Sequence, residues 1–200
     1  MRFHQYGEHA VLIDTAPGLS HLVAAEARRT FGAGLLDAVP TAACVLLDFA
    51  RPTSAEQVAA VLPAPDNAAA GPADSAAVTI QADFDGPDLA EVAAAADCSP
   101  ERVVELLTAV ELTVEFCGFA PGFAYLIGLP EVLHLPRRAT PRTRVPAGSV
   151  ALAAGYAAVY PADSPGGWHL VGRTRTALFR PDRDPPALLQ PGMRVRFDQT

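Results

Sequence analysis

The sequence contains no lysine: all 15 of its basic residues are arginine. That absence excludes a catalytic Schiff-base lysine and the phosphate-gripping lysine of a P-loop. Alanine and proline are in excess, so the missing lysine reads as composition bias rather than selection for arginine. Cysteine is scarce. Cys44, Cys98 and Cys117 are an odd number without metal-ligand spacing, which fits buried or free thiols in a reducing cytoplasm, the expected location. No stretch approaches the roughly 18 apolar residues of a spanning helix. The first residues, Met1-Arg2-Phe3-His4-Gln5-Tyr6-Gly7-Glu8, lack the apolar core of a secretory signal, so neither membrane nor export is expected. Positive charge is also short overall: a net charge of −7 argues against nucleic-acid binding. His4, His9 and His21 share no metal spacing, and no metal is assigned.

What is present supports a core. Half of the 200 residues are hydrophobic, enough for one large domain or two small ones. Residues 2–14 read as two strands around a Gly7-Glu8 turn. Ser20 reads as the N-cap of a helix ending at Arg28-Arg29. Residues 35–49 hold one or two strands. Thr53-Ser54-Ala55-Glu56 reads as a capping box before a short helix over 57–62. This alternation predicts a small α+β domain over residues 1–76. Residues 63–77 are rich in Pro, Ala, Gly, Asp and Asn and read as a linker. A strand is then predicted over 78–83, and helices open at Asp88 and at Ser99-Pro100, with serine as cap and proline in the first turn. Residues 112–116 alternate as a half-buried strand. Short apolar runs follow at 150–154, 157–160, 169–171, 177–179 and 195–197, between Pro/Gly turns such as 190–193. They predict an all-β barrel or sandwich beyond residue 116, the main body of a second domain over 77–200.

Residues 116–173 carry the chemistry. Arg137, Arg138, Arg142 and Arg144 lie close together, and no acidic residue occurs between Glu131 and Asp163. The guanidinium fork binds carboxylate or phosphate, so the cluster is either an anion site or a solvated loop pairing acids elsewhere. Ser164-Pro165-Gly166-Gly167-Trp168 is a tight loop whose glycines permit close backbone approach. Phe119, Pro121, Phe123 and Tyr125 form a possible pocket wall; one phenylalanine is expected to pack and the other to line. Cys117 reads as a small buried hydrophobe, with His134 and His169 the bases a nucleophilic role would need. No residue is assigned a catalytic role.

Three motifs in this stretch make it similar to a known family. They are Gly118-Phe119-x-Pro121-Gly122-Phe123-x-Tyr125-Leu126, then Pro136-Arg137-Arg138-x-x-Pro141-Arg142 with Val145-Pro146-Ala147-Gly148-Ser149-Val150, and Tyr160-Pro161-x-x-Ser164-Pro165-Gly166-Gly167-Trp168. The chain resembles the family of the 5-oxoprolinase B-subunit, also called allophanate hydrolase subunit 1, which includes the sporulation-kinase inhibitor KipI. The resemblance implies an α+β N-terminal domain followed by a cyclophilin-like β-barrel domain. It implies a homologous partner (the 5-oxoprolinase C-subunit, allophanate hydrolase subunit 2 or KipA-like) and a third component, the A-subunit. With ATP as co-substrate, that assembly converts 5-oxo-L-proline to L-glutamate. The sequence departs from the family at Leu107 and Leu112, where a His and a Tyr are expected.

The leading expectation is a non-autonomous subunit of an ATP-hydrolysing 5-oxoprolinase. Arg137, Arg138, Arg142, Ser164, Gly166, Gly167 and Trp168 are expected at the substrate or anion. Two alternatives stay open at this point. One is a regulatory module binding a histidine kinase, and the other a subunit acting on allophanate or another urea-derived amide. Prolyl isomerisation follows from fold analogy alone, which does not carry function.

Overall fold

A computed structural model describes residues 1–64 and 77–200. The chain divides into two compact units, Met1–Ser75 with Glu115–Cys117, and Ala76–Val114 with Gly118–Thr200. The expected linker falls largely on residues 65–76, outside the described residues.

The first unit is a four-stranded sheet with two helices. β1 (Arg2–Tyr6) and β2 (Ala10–Asp14) form the expected hairpin, in register from Arg2↔Asp14 to Tyr6↔Ala10. β3 (Leu35–Pro40) and β4 (Cys44–Phe49) complete an antiparallel sheet of order β1-β2-β4-β3. Alternation sets its buried face, since successive strand side chains point to opposite sides: Val45, Leu47 and Phe49 are buried and join Val11 and Ile13. α1 (Ser20–Phe31) adds Val23, Ala24 and Ala27, and α2 (Ala55–Val61) adds Val58.

Both helix caps sit one residue from the expected place, and α2 starts at Ala55 rather than at 57. The Val23 N–H donates to the Leu19 carbonyl (3.0 Å), so Leu19 is the cap and Ser20 is already helical, its Oγ buried without a partner. The capping box is Ser54 with Gln57: the Gln57 N–H donates to Ser54 Oγ (3.2 Å) and the Ser54 N–H to Gln57 Oε1 (2.8 Å). Thr53 is not the cap because its hydroxyl donates back to the Arg51 carbonyl (2.9 Å).

The second unit is a mixed α/β body built on a nearly closed sheet. Its elements are β5 (Val78–Ala82), α3 (Leu89–Ala95), α4 (Pro100–Ala109), β6 (Leu112–Cys117, whose residues 115–117 count with the first unit), β7 (Ala124–Ile127), β8 (Arg142–Val145), β9 (Ser149–Ala153), β10 (Tyr156–Val159), β11 (Ser164–Gly166), β12 (His169–Arg173) and β13 (Arg194–Gln199). Seven strands run in the order β12-β9-β10-β7-β6-β13-β5, and β8 and β11 form a separate ribbon. The two edges of the large sheet meet through a single bridge. The Asp83 N–H donates to the Arg173 carbonyl (2.9 Å) and the Arg173 N–H to the Asp83 carbonyl (2.8 Å). β5 and β13 pair in parallel from Val195↔Val78 to Gln199↔Ala82. β9 is buried throughout, as expected of a continuous apolar run in a covered strand.

Ser99 caps α4 by accepting from the Arg102 N–H (3.3 Å), with Pro100 in the first turn as expected. Residues 177–179 are not a strand; Phe179 makes one isolated bridge, to Ala187. Among the described residues no helix is long and apolar enough to cross a membrane.

Candidate anion pocket

The Gly118–Phe123 hairpin loop builds one side of the site. Pro121 and Gly122 hold the central positions of a turn closed by the Phe123 N–H on the Ala120 carbonyl (3.0 Å), with Gly122 at φ +81°. This is type II turn chemistry, proline first and a positive-φ residue second. The turn throws Phe119 to the rim, 61% exposed at φ +68°, and buries Phe123 at 2%. So Phe123 packs and Phe119 stands at the mouth. Phe123 lies at the centre of an aromatic cluster, with ring centroids 5.0 Å from Tyr125, 5.2 Å from Tyr160 and 5.7 Å from Trp168, mostly edge to face.

A cavity of about 80 Å³ opens in this cluster, lined by Phe119, Phe123, Tyr125, Arg137, Tyr160, Pro165, Gly166, Gly167 and Trp168. It gathers most of the sequence-expected wall and loop. Gly166 is needed for close approach: a Cβ there would collide with the Tyr160 hydroxyl. Arg137 is the cation of the pocket, and it makes no ion pair among the described residues. Burial pushes both phenols, Tyr125 and Tyr160, above the ordinary tyrosine range, and the Arg137 charge pulls each back part of the way. The pocket therefore presents a guanidinium, two protonated phenols and aromatic faces.

The other expected residues lie around it. Arg138 and Arg142 turn to Asp88, whose side chain is only 5% exposed. Asp88 Oδ1 accepts from Arg138 Nη1 (2.9 Å) and Arg142 Nη2 (2.7 Å), and Oδ2 from the Leu170 N–H (2.7 Å). Arg138 Nη1 also donates to Glu91 (2.6 Å). Burial raises the Asp88 carboxyl, but the Arg142 bond, the Leu170 N–H and the two guanidinium charges together hold it below the usual carboxylate range. Arg144 forks onto Asp163 at the surface (2.9 and 2.5 Å). Ser164 pairs with Val145 in the ribbon, with its Oγ buried and unpartnered. Pro121 is exposed and shapes the turn rather than the wall.

Burial pushes the Cys117 thiol up to about 11, which suits the inert reading rather than a nucleophile. Leu107 and Leu112 are fully buried core side chains. Among the described residues no cluster of His, Cys, Asp and Glu is placed to hold a metal. Sequence reasoning left out Tyr160 and Pro165 from the wall and Asp88 from the site. The first two stand inside the third motif and were available there. Asp88 acts across about 50 positions and leaves no local signal.

Comparison with known proteins places these features in a family. The 5-oxoprolinase B-subunit of Escherichia coli O157:H7 is 57% identical over 112 residues, covering 56% of this chain and 51% of that protein. The chain thus spans about half the length of the curated relatives it matches. The crystal structure of TTHA0988 superposes with a TM-score of 0.79 at 34% identity, over 96% of this chain and 40% of that one. The Kluyveromyces lactis urea carboxylase shares the fold, with a TM-score of 0.68 at 17% identity over 99% of this chain and 21% of that one. The family of the carboxyltransferase domain, subdomain C and D, matches residues 1–189, and the chain belongs to it.

Proposed function

We propose that the chain is a subunit of an ATP-dependent 5-oxoprolinase and supplies one wall of its substrate site. The proposal includes an α+β domain over 1–76, a cyclophilin-like barrel domain over 77–200, a homologous second subunit and a third subunit. The observation that carries it is Arg137, a cation without an acidic partner among the described residues, set into an aromatic pocket. The names of the relatives at 48–57% identity support the substrate class.

5-Oxo-L-proline is a small apolar ring with a carboxylate and a lactam. Arg137 pairs with the carboxylate through its planar fork. The ring methylenes lie against Phe123 and Trp168. The Tyr125 and Tyr160 phenols, kept protonated, hold the lactam oxygen by hydrogen bonds in the bound substrate. ATP gives its terminal phosphoryl to that oxygen. Water adds at the carbonyl carbon, the C–N bond breaks, and a second water releases phosphate, giving glutamate, ADP and phosphate. With no lysine in the chain, the permanently charged side chain it can offer a phosphate is arginine.

The test is co-expression of the chain with the homologous second subunit and the third subunit, followed by an assay of ATP-dependent glutamate release. Release is expected only from the complete assembly. Arg137→Ala is expected to lower kcat/KM by about 10- to 100-fold, the loss of one charge-assisted bond. Unchanged turnover in that variant overturns the reading.

A further inference from the structure

Resting on the reading of Arg137 as the carboxylate-binding group, we infer that Asp88 is a positioning residue that sets Arg137 in the pocket without touching ligand. Asp88 stands at the N-cap of α3, where an aspartate ordinarily accepts from a first-turn N–H. This one makes no cap bond and spends its carboxylate on Arg138, Arg142 and the Leu170 N–H. One buried group thereby joins the start of α3, the 136–142 loop and β12. The Arg138 N–H donates to the Gly167 carbonyl (2.8 Å), tying the same loop to the glycine turn of the pocket. On the other side of Arg137, His169 Nε2 donates to the Pro136 carbonyl (3.0 Å), the carbonyl acceptor fixing which ring nitrogen carries the proton. Both chain neighbours of Arg137 are therefore pinned, and its guanidinium is delivered to the cavity by a clamped backbone.

The charges support the same division of labour. Asp88 and Glu91 balance Arg138 and Arg142, so the clamp is neutral as a group. Arg137 remains the cation of the pocket that has no ion pair among the described residues. This makes the sign of a substitution informative. Removing the Asp88 charge leaves extra positive charge beside the pocket, and charge alone would then tighten an anion. Loss of position weakens it instead, since a displacement on the order of 1 Å is costly at a directed contact.

The chain has one tryptophan, and it lines the cavity, so Trp168 fluorescence reports occupancy directly. The full chain is titrated with 5-oxo-L-proline and, for comparison, with 2-pyrrolidinone, the same ring without the carboxylate, well below the melting transition. Wild type is expected to respond saturably to 5-oxo-L-proline, and Arg137→Ala to lose that response. Asp88→Asn is expected to raise the Kd for 5-oxo-L-proline about tenfold or more while leaving the response to 2-pyrrolidinone unchanged. Where Asp88→Asn does not fold, the double variant Asp88→Asn with Arg142→Gln keeps the clamp neutral and is expected to weaken binding to the same degree. An unchanged or tighter Kd in the folded variant, with Arg137→Ala still silent, overturns the positioning role and leaves the anion pocket standing. A silent wild type, or an Arg137→Ala variant that responds like wild type, overturns the pocket reading and the positioning role with it.

Discussion

Replacing Asp88 by Asn at neutral pH tests how much the clamp contributes to folding. Removing one partner of a buried pair typically costs about 3–5 kcal/mol, because the remaining charge is left without compensation. Here Asp88 is 5% exposed, but the Arg138 and Arg142 side chains are 26% and 27% exposed and can turn partly to water. Asparagine also keeps an acceptor for the Leu170 N–H. The expected loss is therefore nearer to about 2–3 kcal/mol, or about 4–12 °C in Tm for a protein of this size. The folded-state carboxyl lies below its ordinary value. Its contribution is thus present above the unfolded value of about 3.9, and it is lost as pH falls through the lower folded value. Thermal melts of wild type and variant followed by circular dichroism should show the full gap at pH 7 and convergence in stronger acid. A gap below about 1 °C at pH 7, or one that persists undiminished in acid, refutes the reasoning.

Three further outcomes are expected. Gly166→Ala drives a methyl into the Tyr160 hydroxyl; displacement of the buried ring should abolish the Trp168 response to 5-oxo-L-proline, and a retained response would contradict the packing. Phe119→Gly relieves about 1–2 kcal/mol of left-handed backbone strain but gives up edge-to-face contacts of about 0.5–1.5 kcal/mol each, so Tm should move little while the pocket rim is lost; a large fall in Tm would count against the balance. Cys117, with its thiol pushed up to about 11, should alkylate slowly in native protein at pH 8 and quickly after denaturation, as counted by mass spectrometry.

The local signals were the most legible ones. Ser99 followed by Pro100 gave the start of α4, because a cap is decided within four residues, whereas Pro121, read as pocket wall, proved to be the first central residue of a turn. The two shifted starts have the same origin: Ser20 and Thr53 are cap-type residues beside the true caps, and backbone bonding rather than side-chain type chose between them. Residues 177–179 are apolar like a strand, but they find no continuous partner. The arginine cluster shows the limit most clearly. Arg137 and Arg138 are adjacent and identical in sequence, yet one faces the cavity and the other a buried carboxylate about 50 positions away. Side-chain direction in an irregular loop follows from packing across the fold, which no spacing rule contains.

The parallel pairing of β5 with β13 bears on the order of events during synthesis. β5 is the first strand of its unit to leave a ribosome, and its one continuous neighbour, Arg194–Gln199, is translated more than a hundred residues later. Until then the described hydrogen bonds that tie this edge to β12 are the two backbone bonds between Asp83, just past β5, and Arg173, and the Thr174 hydroxyl on the Gln81 carbonyl, worth about 1 kcal/mol each. The nascent sheet must therefore wait with a bare edge, a state that invites pairing with other chains. A chain cut at residue 190 models that waiting state, and it should remain dependent on chaperones and prone to aggregate where the full chain does not.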